Sequence, residues 1–71
     1  MPKKQQVRKY LKRNGWELLR DTDHEYYQKV LADGRVLRTK LSHGKNEIPP
    51  SVWRNMLKEM EISQEDFNAG L

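Results

Sequence analysis

Two histidines, His24 and His43, are the side chains of this sequence best suited to proton transfer. Imidazole titrates near neutral pH, so a histidine can take up and release a proton without help from a cofactor. The sequence has no cysteine, and no third ligand stands at an obvious spacing from the two histidines, so we predict no metal site and no cofactor. An isolated histidine at a strand end is more often an ordinary surface residue. The histidines alone therefore leave a catalytic role and a surface role both open.

Basic side chains are concentrated near the beginning of the sequence. The 71 residues carry a net charge of +4, from 14 Lys/Arg and 10 Asp/Glu. Residues 1–20 hold seven of the basic side chains and a single acidic one, Glu17. A basic surface beside a proton-transfer group suits RNA, because the 2′-hydroxyl of RNA is an internal nucleophile. The same lysines could also serve only to keep a helix surface soluble.

Most of these basic residues fall in a helix predicted over "KKQQVRKYLKRNG". Val7, Tyr10 and Leu11 form a narrow apolar stripe at helical spacing, and the Asn-Gly pair at the end is a typical helix stop. We expect the opposite face to be a basic ridge that contacts RNA phosphates. The ridge consists of Lys4, Arg8 and Lys12 at intervals of four residues, flanked by Lys9 and Arg13.

Three strands are predicted in "WELLRDT", "HEYYQKVLA" and "RVLRTKLS". Asp33 and Gly34 lie between the last two, and an Asp-Gly pair is typical of a two-residue hairpin turn. With that turn His24 falls opposite His43, at the far end of the face that the helices cover. A bulge or a three-residue turn would shift this register.

The other face of the predicted hairpin is basic and solvated. In the same register Lys29 lies opposite Arg38, and Tyr27 lies opposite Lys40. We expect these three cations, together with Arg20 at the end of the first strand, to contact RNA.

A second helix is predicted to begin at Pro50, where a missing N–H costs nothing. Ser63 and Asp66 resemble a capping box for a short last helix that carries Phe67. The expected fold is therefore α+β in the order α-β-β-β-α, one domain over 1–71, with both helices on one face of a three-stranded antiparallel sheet. No apolar run approaches the length of a membrane span, so we expect a cytoplasmic protein with no membrane partner.

The segments "LKRNGWELLR", "DHEYYQK", "DGRVLRTKLSH" and "EIPPSVWRNMLKEMEISQEDF" follow one another in an order that resembles the HicA family of toxin–antitoxin ribonucleases. The resemblance covers about four-fifths of the chain, and it lies in the order and spacing of the segments. It implies a fold like the double-stranded-RNA-binding domain and metal-independent, sequence-tolerant cleavage of mRNA. It places the family's catalytic histidine at His24 and implies a HicB-type antitoxin as partner. We expect a monomer or a weak dimer.

This sequence departs from the family pattern just before the histidine, where Thr22-Asp23 replaces the usual Gly-Ser. A carboxylate at that position could orient His24 or repel the RNA phosphate. His43 could assist His24 or be an ordinary loop residue. The leading hypothesis is a ribonuclease toxin, and the alternative is a non-catalytic RNA- or partner-binding module on the same scaffold. A weaker third possibility is a purely protein-binding subunit.

Overall fold

The computed structural model describes residues 2–71 and contains three helices and three strands in the predicted order. The elements are α1 (Lys4–Arg13), β1 (Glu17–Asp21), β2 (His24–Val30), β3 (Val36–Ser42), α2 (Pro50–Met60) and α3 (Gln64–Ala69). The strands form one antiparallel sheet in the order β1-β2-β3. The prediction of an α+β domain with a three-stranded antiparallel sheet is confirmed.

The local signals that delimit the helices act as expected. Gly15, with φ of 81°, follows the end of α1 in the left-handed region that glycine adopts at little cost. Pro50 occupies the first turn of α2. The hydroxyl of Ser63 accepts a hydrogen bond from the Asp66 backbone N–H at 3.0 Å, and the Asp66 carboxylate accepts one from the Ser63 N–H at 3.1 Å. These reciprocal bonds satisfy amide groups that would otherwise lack partners at the start of α3.

The helices pack on a single face of the sheet. Burial alternates along β3, so that Leu37, Thr39 and Leu41 face inward while the residues between them are exposed. The side chains of the core come from all three helices as well as the sheet, and Phe67 of α3 lies 4.9 Å from the Tyr10 ring and 4.8 Å from Trp53, centroid to centroid. Among residues 2–71 no helix covers the opposite face of the sheet, where the outward residues of β3 are exposed.

The hairpin between β2 and β3 has a three-residue turn, so the predicted two-residue turn is wrong. Leu31 and Arg35 close the loop through a 2.8 Å backbone hydrogen bond, and Gly34 takes a left-handed φ of 89°. The Arg35 backbone N–H also donates to the Asp33 carboxylate at 3.0 Å. The Gly34 N–H also donates to the Leu31 carbonyl at 2.9 Å, and a turn closed in this way with a left-handed glycine is typical of three-residue hairpin connections. Asp33 therefore lies inside the loop and not at a two-residue apex.

The longer turn shifts every pair of the hairpin by one residue. His24 lies opposite Ser42 and not His43, and Tyr27 lies opposite Thr39 and not Lys40. Lys29, predicted on the solvated face opposite Arg38, instead lies opposite Leu37 on the helix-covered side. Because side chains alternate along a strand, the one-residue shift exchanges the two faces of β2.

The pairing of β1 with β2 also contains an irregularity. The register shifts between Leu18 and Arg20, which places Arg20 opposite Tyr26 and Asp21 opposite Glu25.

No helix among residues 2–71 is long and apolar enough to cross a membrane.

Candidate functional site

The candidate site lies at the end of the sheet where β1 ends, β2 begins and β3 ends. Antiparallel pairing brings Asp21, His24 and Ser42 to this one end, although they come from three strands. Thr22 and Asp23 form the tight connection between β1 and β2, closed by a 3.0 Å bond from the Thr22 N–H to the His24 carbonyl. The polar groups of the connection are therefore held next to the first residue of β2.

Asp23 accepts hydrogen bonds from two hydroxyl groups. The Tyr26 hydroxyl donates to its two carboxylate oxygens at 2.9 and 3.1 Å, and the Thr22 hydroxyl donates at 3.0 Å. These bonds, that of Tyr26 first, lower the pKa of Asp23 from 3.8 to about 2. Asp23 is therefore ionised throughout the neutral range, and it loses its charge only as the pH falls toward 2.

His24 directs one ring nitrogen toward this carboxylate. Its Nδ1 lies 3.5 Å from Asp23 Oδ2, and the side chain as a whole is 33% exposed. Within residues 2–71, Nδ1 is the one buried side-chain nitrogen or oxygen that lacks a hydrogen-bond partner. A proton on Nδ1 is favoured by the neighbouring negative charge, which leaves Nε2 as the nitrogen that can accept a proton. The arrangement is thus suited to general-base chemistry at Nε2.

His43 has a different set of contacts. Its Nε2 lies 2.8 Å from Asp21 Oδ1 and 3.1 Å from the Thr22 carbonyl oxygen. Both contacts join the loop after β3 to the end of β1. The predicted cross-strand pairing of the two histidines is wrong, and the visible role of His43 is to anchor this loop beside the β1–β2 connection.

The predicted basic ridge of α1 is interrupted by contacts inside the protein. Lys4 is only 4% exposed, and its ammonium donates to Ser42 Oγ at 3.0 Å and to the His43 carbonyl at 3.3 Å. Arg8 forms an ion pair with Glu25, at 2.7 Å from Nη2 to Oε2. Lys4 lies three residues before Val7, and Arg8 lies three residues before Leu11, so both are on the side of the helix that faces the protein. The expectation that Lys4 and Arg8 form an outward ridge is therefore wrong, while Lys9, Lys12 and Arg13 are exposed.

Glu25 joins α1 to the sheet. Both of its oxygens accept bonds from Arg8, and Oε1 also accepts one from the buried Tyr27 hydroxyl at 2.6 Å. The Arg8 hydrogen bonds are the largest cause of the lowered pKa of Glu25, whereas burial is the main reason that the pKa of Tyr27 is raised. This pair of contacts fixes the strand residue that follows His24.

The open face of the sheet carries the other predicted RNA-contacting residues. The Arg20 guanidinium lies 4.1 Å from the centroid of the Tyr26 ring, a cation–π contact. Arg38 and Lys40 are exposed on the same face, because they alternate with the inward residues of β3. We refer to Arg20, Tyr26, Arg38 and Lys40 as the open-face cluster. His24 lies at one end of it, opposite Ser42.

Sequence reasoning missed the hydroxyl partners of Asp23 and the inward position of Lys4. The predicted two-residue turn places Tyr26 on the helix-covered face together with His24, because side chains alternate, so a bond from its hydroxyl to Asp23 was not expected. Among residues 2–71 no three His, Cys, Asp or Glu side chains converge into a group that could hold a metal ion.

No protein-family model, curated protein or solved structure matches the chain.

Proposed function

We propose that this protein is an endoribonuclease toxin of the HicA type, with His24 as its general acid/base, acting on mRNA in the cytoplasm. The observation that carries the proposal is the position of His24, with Nδ1 facing the Asp23 carboxylate at 3.5 Å and the open-face cluster beside it. A histidine oriented by a carboxylate can act as a base, and nearby cations can bind RNA phosphates. The α-β-β-β-α order supports a fold like the double-stranded-RNA-binding domain.

The proposed reaction needs a base, an electrostatic contact and the RNA itself. Nε2 of His24 takes the proton of a 2′-hydroxyl, and the 2′-oxygen forms a bond to the adjacent phosphorus. The bond from phosphorus to the 5′-oxygen breaks, and that oxygen receives a proton from the imidazolium or from water. The products are a 2′,3′-cyclic phosphate and a 5′-hydroxyl. Ser42 lies opposite His24, and Lys40, two residues before Ser42, is the cation of the open-face cluster that is closest to it along the chain. In this scheme Lys40 stabilises the negative charge on the phosphate.

Asp23 orients His24 in this scheme and has no contact with the substrate. Asp23→Asn keeps the shape and the hydrogen bonds from Tyr26 and Thr22 but removes the charge that favours a proton on Nδ1. We expect kcat to fall about 10- to 100-fold, less than the 10²–10⁴-fold typical of an acid/base residue, because Asp23 acts only through His24 and the 3.5 Å contact is long. KM should stay near the wild-type value. Nitrogen NMR of the His24 ring should show the Nδ1–H tautomer in the wild type and a mixture in the variant. An unchanged tautomer together with unchanged kcat would remove Asp23 from the mechanism.

We expect RNA to bind across the open face of the sheet and not along the basic ridge of α1. The double variant Arg38→Glu, Lys40→Glu should weaken RNA binding about equally for all sequences. It should also flatten the dependence of log Kd on log salt, by about 0.7 for each phosphate of single-stranded RNA that the protein no longer neutralises. The matched control is Lys9→Glu, Lys12→Glu, which reverses two exposed charges on α1. Equal losses from both double variants would mean that net charge, and not this face, governs binding.

The alternative function is a non-catalytic RNA- or partner-binding module. The ionised Asp23 favours it, because a carboxylate beside His24 repels a phosphate. In that case the protein binds RNA through the open-face cluster, or binds a protein partner, without cutting RNA. A cleavage assay on purified protein separates the two functions directly.

The proposed partner in the cell is a HicB-type antitoxin. The exposed apolar residues Leu19, Val30 and Val36 are available for contacts with another protein. Co-expression of the protein encoded by the neighbouring gene should relieve growth arrest and should form a complex that co-purifies. Growth arrest that persists while a complex forms would show that the bound partner does not neutralise the toxin.

A further inference from the structure

A cavity of about 260 Å³ opens beside His24, between the end of β3 and the beginning of α2. Its floor is apolar and consists of side chains that are almost fully buried, Leu41 at 2%, Ile48 at 4% and Met56 at 3% exposed. Val52 lines the same cavity but remains 44% exposed. Pockets for drug-sized ligands usually measure about 300–1,000 Å³, so this cavity fits a single ring system.

The polar lining of the cavity includes two lysines. Lys40 and the almost fully buried Lys4 lie on it, together with His24 and Ser42. Among residues 2–71 no carboxylate forms an ion pair with Lys4, and its ammonium has two hydrogen-bond acceptors, on Ser42 and His43. An ammonium has three N–H donors, so one is left for a ligand. A buried charge is costly unless it is paired or hydrogen-bonded, which favours an acceptor in the cavity.

We infer that this cavity binds one nucleobase of the RNA next to the cleaved bond, an inference that rests on the proposed function. An apolar floor takes the ring, Lys4 donates to a carbonyl oxygen of the base, and Lys40 contacts a phosphate. Uracil, cytosine and guanine carry such an oxygen and adenine does not. The protein should therefore disfavour adenine at this position. Proximity to His24 makes the cavity a specificity site for cleavage and not a separate binding site.

The direct test is a methyl NMR titration of the whole protein with the four nucleoside 3′-monophosphates. The Val52 methyl resonances should shift on addition of 3′-UMP, 3′-CMP or 3′-GMP and should shift less with 3′-AMP. Val36 is the internal control, since it is similarly exposed, at 47%, but lies at the other end of the sheet. Lys4→Met should weaken 3′-UMP binding roughly tenfold, the loss expected for one hydrogen bond to a charged group, and should leave 3′-AMP binding unchanged.

Variants that fill the cavity test it in cleavage. Val52→Trp should remove nucleotide binding and the discrimination against adenine, whereas Val36→Trp, the matched control, should retain both. If Val52→Trp does not fold, the titration of the wild type decides alone. No shift at Val52 with any of the four nucleotides would overturn the inference even if RNA is cleaved. Shifts at Val52 without RNA cleavage would support the cavity as a nucleobase site and would contradict the ribonuclease proposal instead.

Discussion

His24→Ala is expected to lower the rate of RNA cleavage by about 10²–10⁴-fold and to remove growth arrest on expression. The reason is that the variant removes the nitrogen proposed to take the proton of the 2′-hydroxyl. It should leave the fold intact, because the His24 ring is partly exposed and its Nδ1 forms no hydrogen bond within residues 2–71. Cleavage should be measured on purified protein, and folding by circular dichroism and thermal unfolding.

The other histidine provides the matched control. His43→Ala removes the contacts with Asp21 and the Thr22 carbonyl, so we expect a loss of stability of about 1 kcal/mol. For a domain of this size that corresponds to a decrease in Tm of about 4–8 °C. Cleavage at a temperature well below Tm should stay within about tenfold of wild type, well short of the loss of a positioned acid/base. A folded His24→Ala protein that cuts as fast as wild type would contradict the assignment. A large loss confined to His43→Ala would transfer the role to His43.

Glu25→Ala is expected to give the largest loss of stability among the polar substitutions at the site. It leaves the Arg8 guanidinium and the buried Tyr27 hydroxyl without their shared acceptor. Breaking a buried ion pair typically costs about 3–5 kcal/mol, and the 40% exposure of the Arg8 side chain reduces this to about 2–3 kcal/mol. Tm should decrease by roughly 10–20 °C. Glu17→Ala, an exposed glutamate on β1, should change the free energy of unfolding by less than about 0.5 kcal/mol.

The ion pair between Arg8 and Glu25 should make the stability of the protein depend on pH, with a definite sign. The pKa of Glu25 is lowered in the folded protein, so the ionised carboxylate contributes to the free energy of unfolding at pH values above the ordinary pKa of 4.5. This contribution is lost as the pH falls through the lowered pKa of the folded protein. Acid should therefore destabilise the wild type more than Glu25→Ala. Arg8→Met in the Glu25→Ala background should recover part of the stability, since it removes the charge left without a partner. Additive effects of the two substitutions would show that Arg8 and Glu25 are not coupled.

Local chemistry made the elements of the fold predictable. Gly15 ends α1, Pro50 begins α2, and the Ser63 capping box begins α3, as their residue types indicate. The register of the hairpin was harder to predict from the sequence, because Asp33 and Gly34 fit both a two-residue and a three-residue turn. The choice between them depends on which face of β2 the core accepts. Tyr27 packs inside at 8% exposure, and this tertiary contact decides the register.

The candidate site was predictable only in part, for a related reason. His24 stands out by residue type, but its partner Asp23 acquires its role from the Tyr26 hydroxyl, whose direction follows from the register. Lys4 and Arg8 have the spacing of a solvated ridge. Their acceptors are supplied by β2 and by β3 with the loop after it, segments far away in the sequence. Periodicity within one helix does not reveal acceptors on another element, so long-range pairing of these cations required the three-dimensional structure.

The proposed reaction is a metal-independent cleavage of RNA in which the 2′-hydroxyl attacks the phosphorus and His24 transfers the proton. The most direct measurement uses purified protein in excess chelator, with an RNA whose cleavage site has been mapped and a matched RNA carrying one 2′-deoxy nucleotide at that site. We predict that the all-ribose RNA is cut to a 2′,3′-cyclic phosphate or 3′-phosphate and that the 2′-deoxy RNA resists at that bond. His24→Ala should cut the all-ribose RNA about 10²–10⁴-fold more slowly than the wild type. Cleavage that stops in chelator and returns with magnesium, or that cuts the 2′-deoxy bond equally well, would contradict the mechanism.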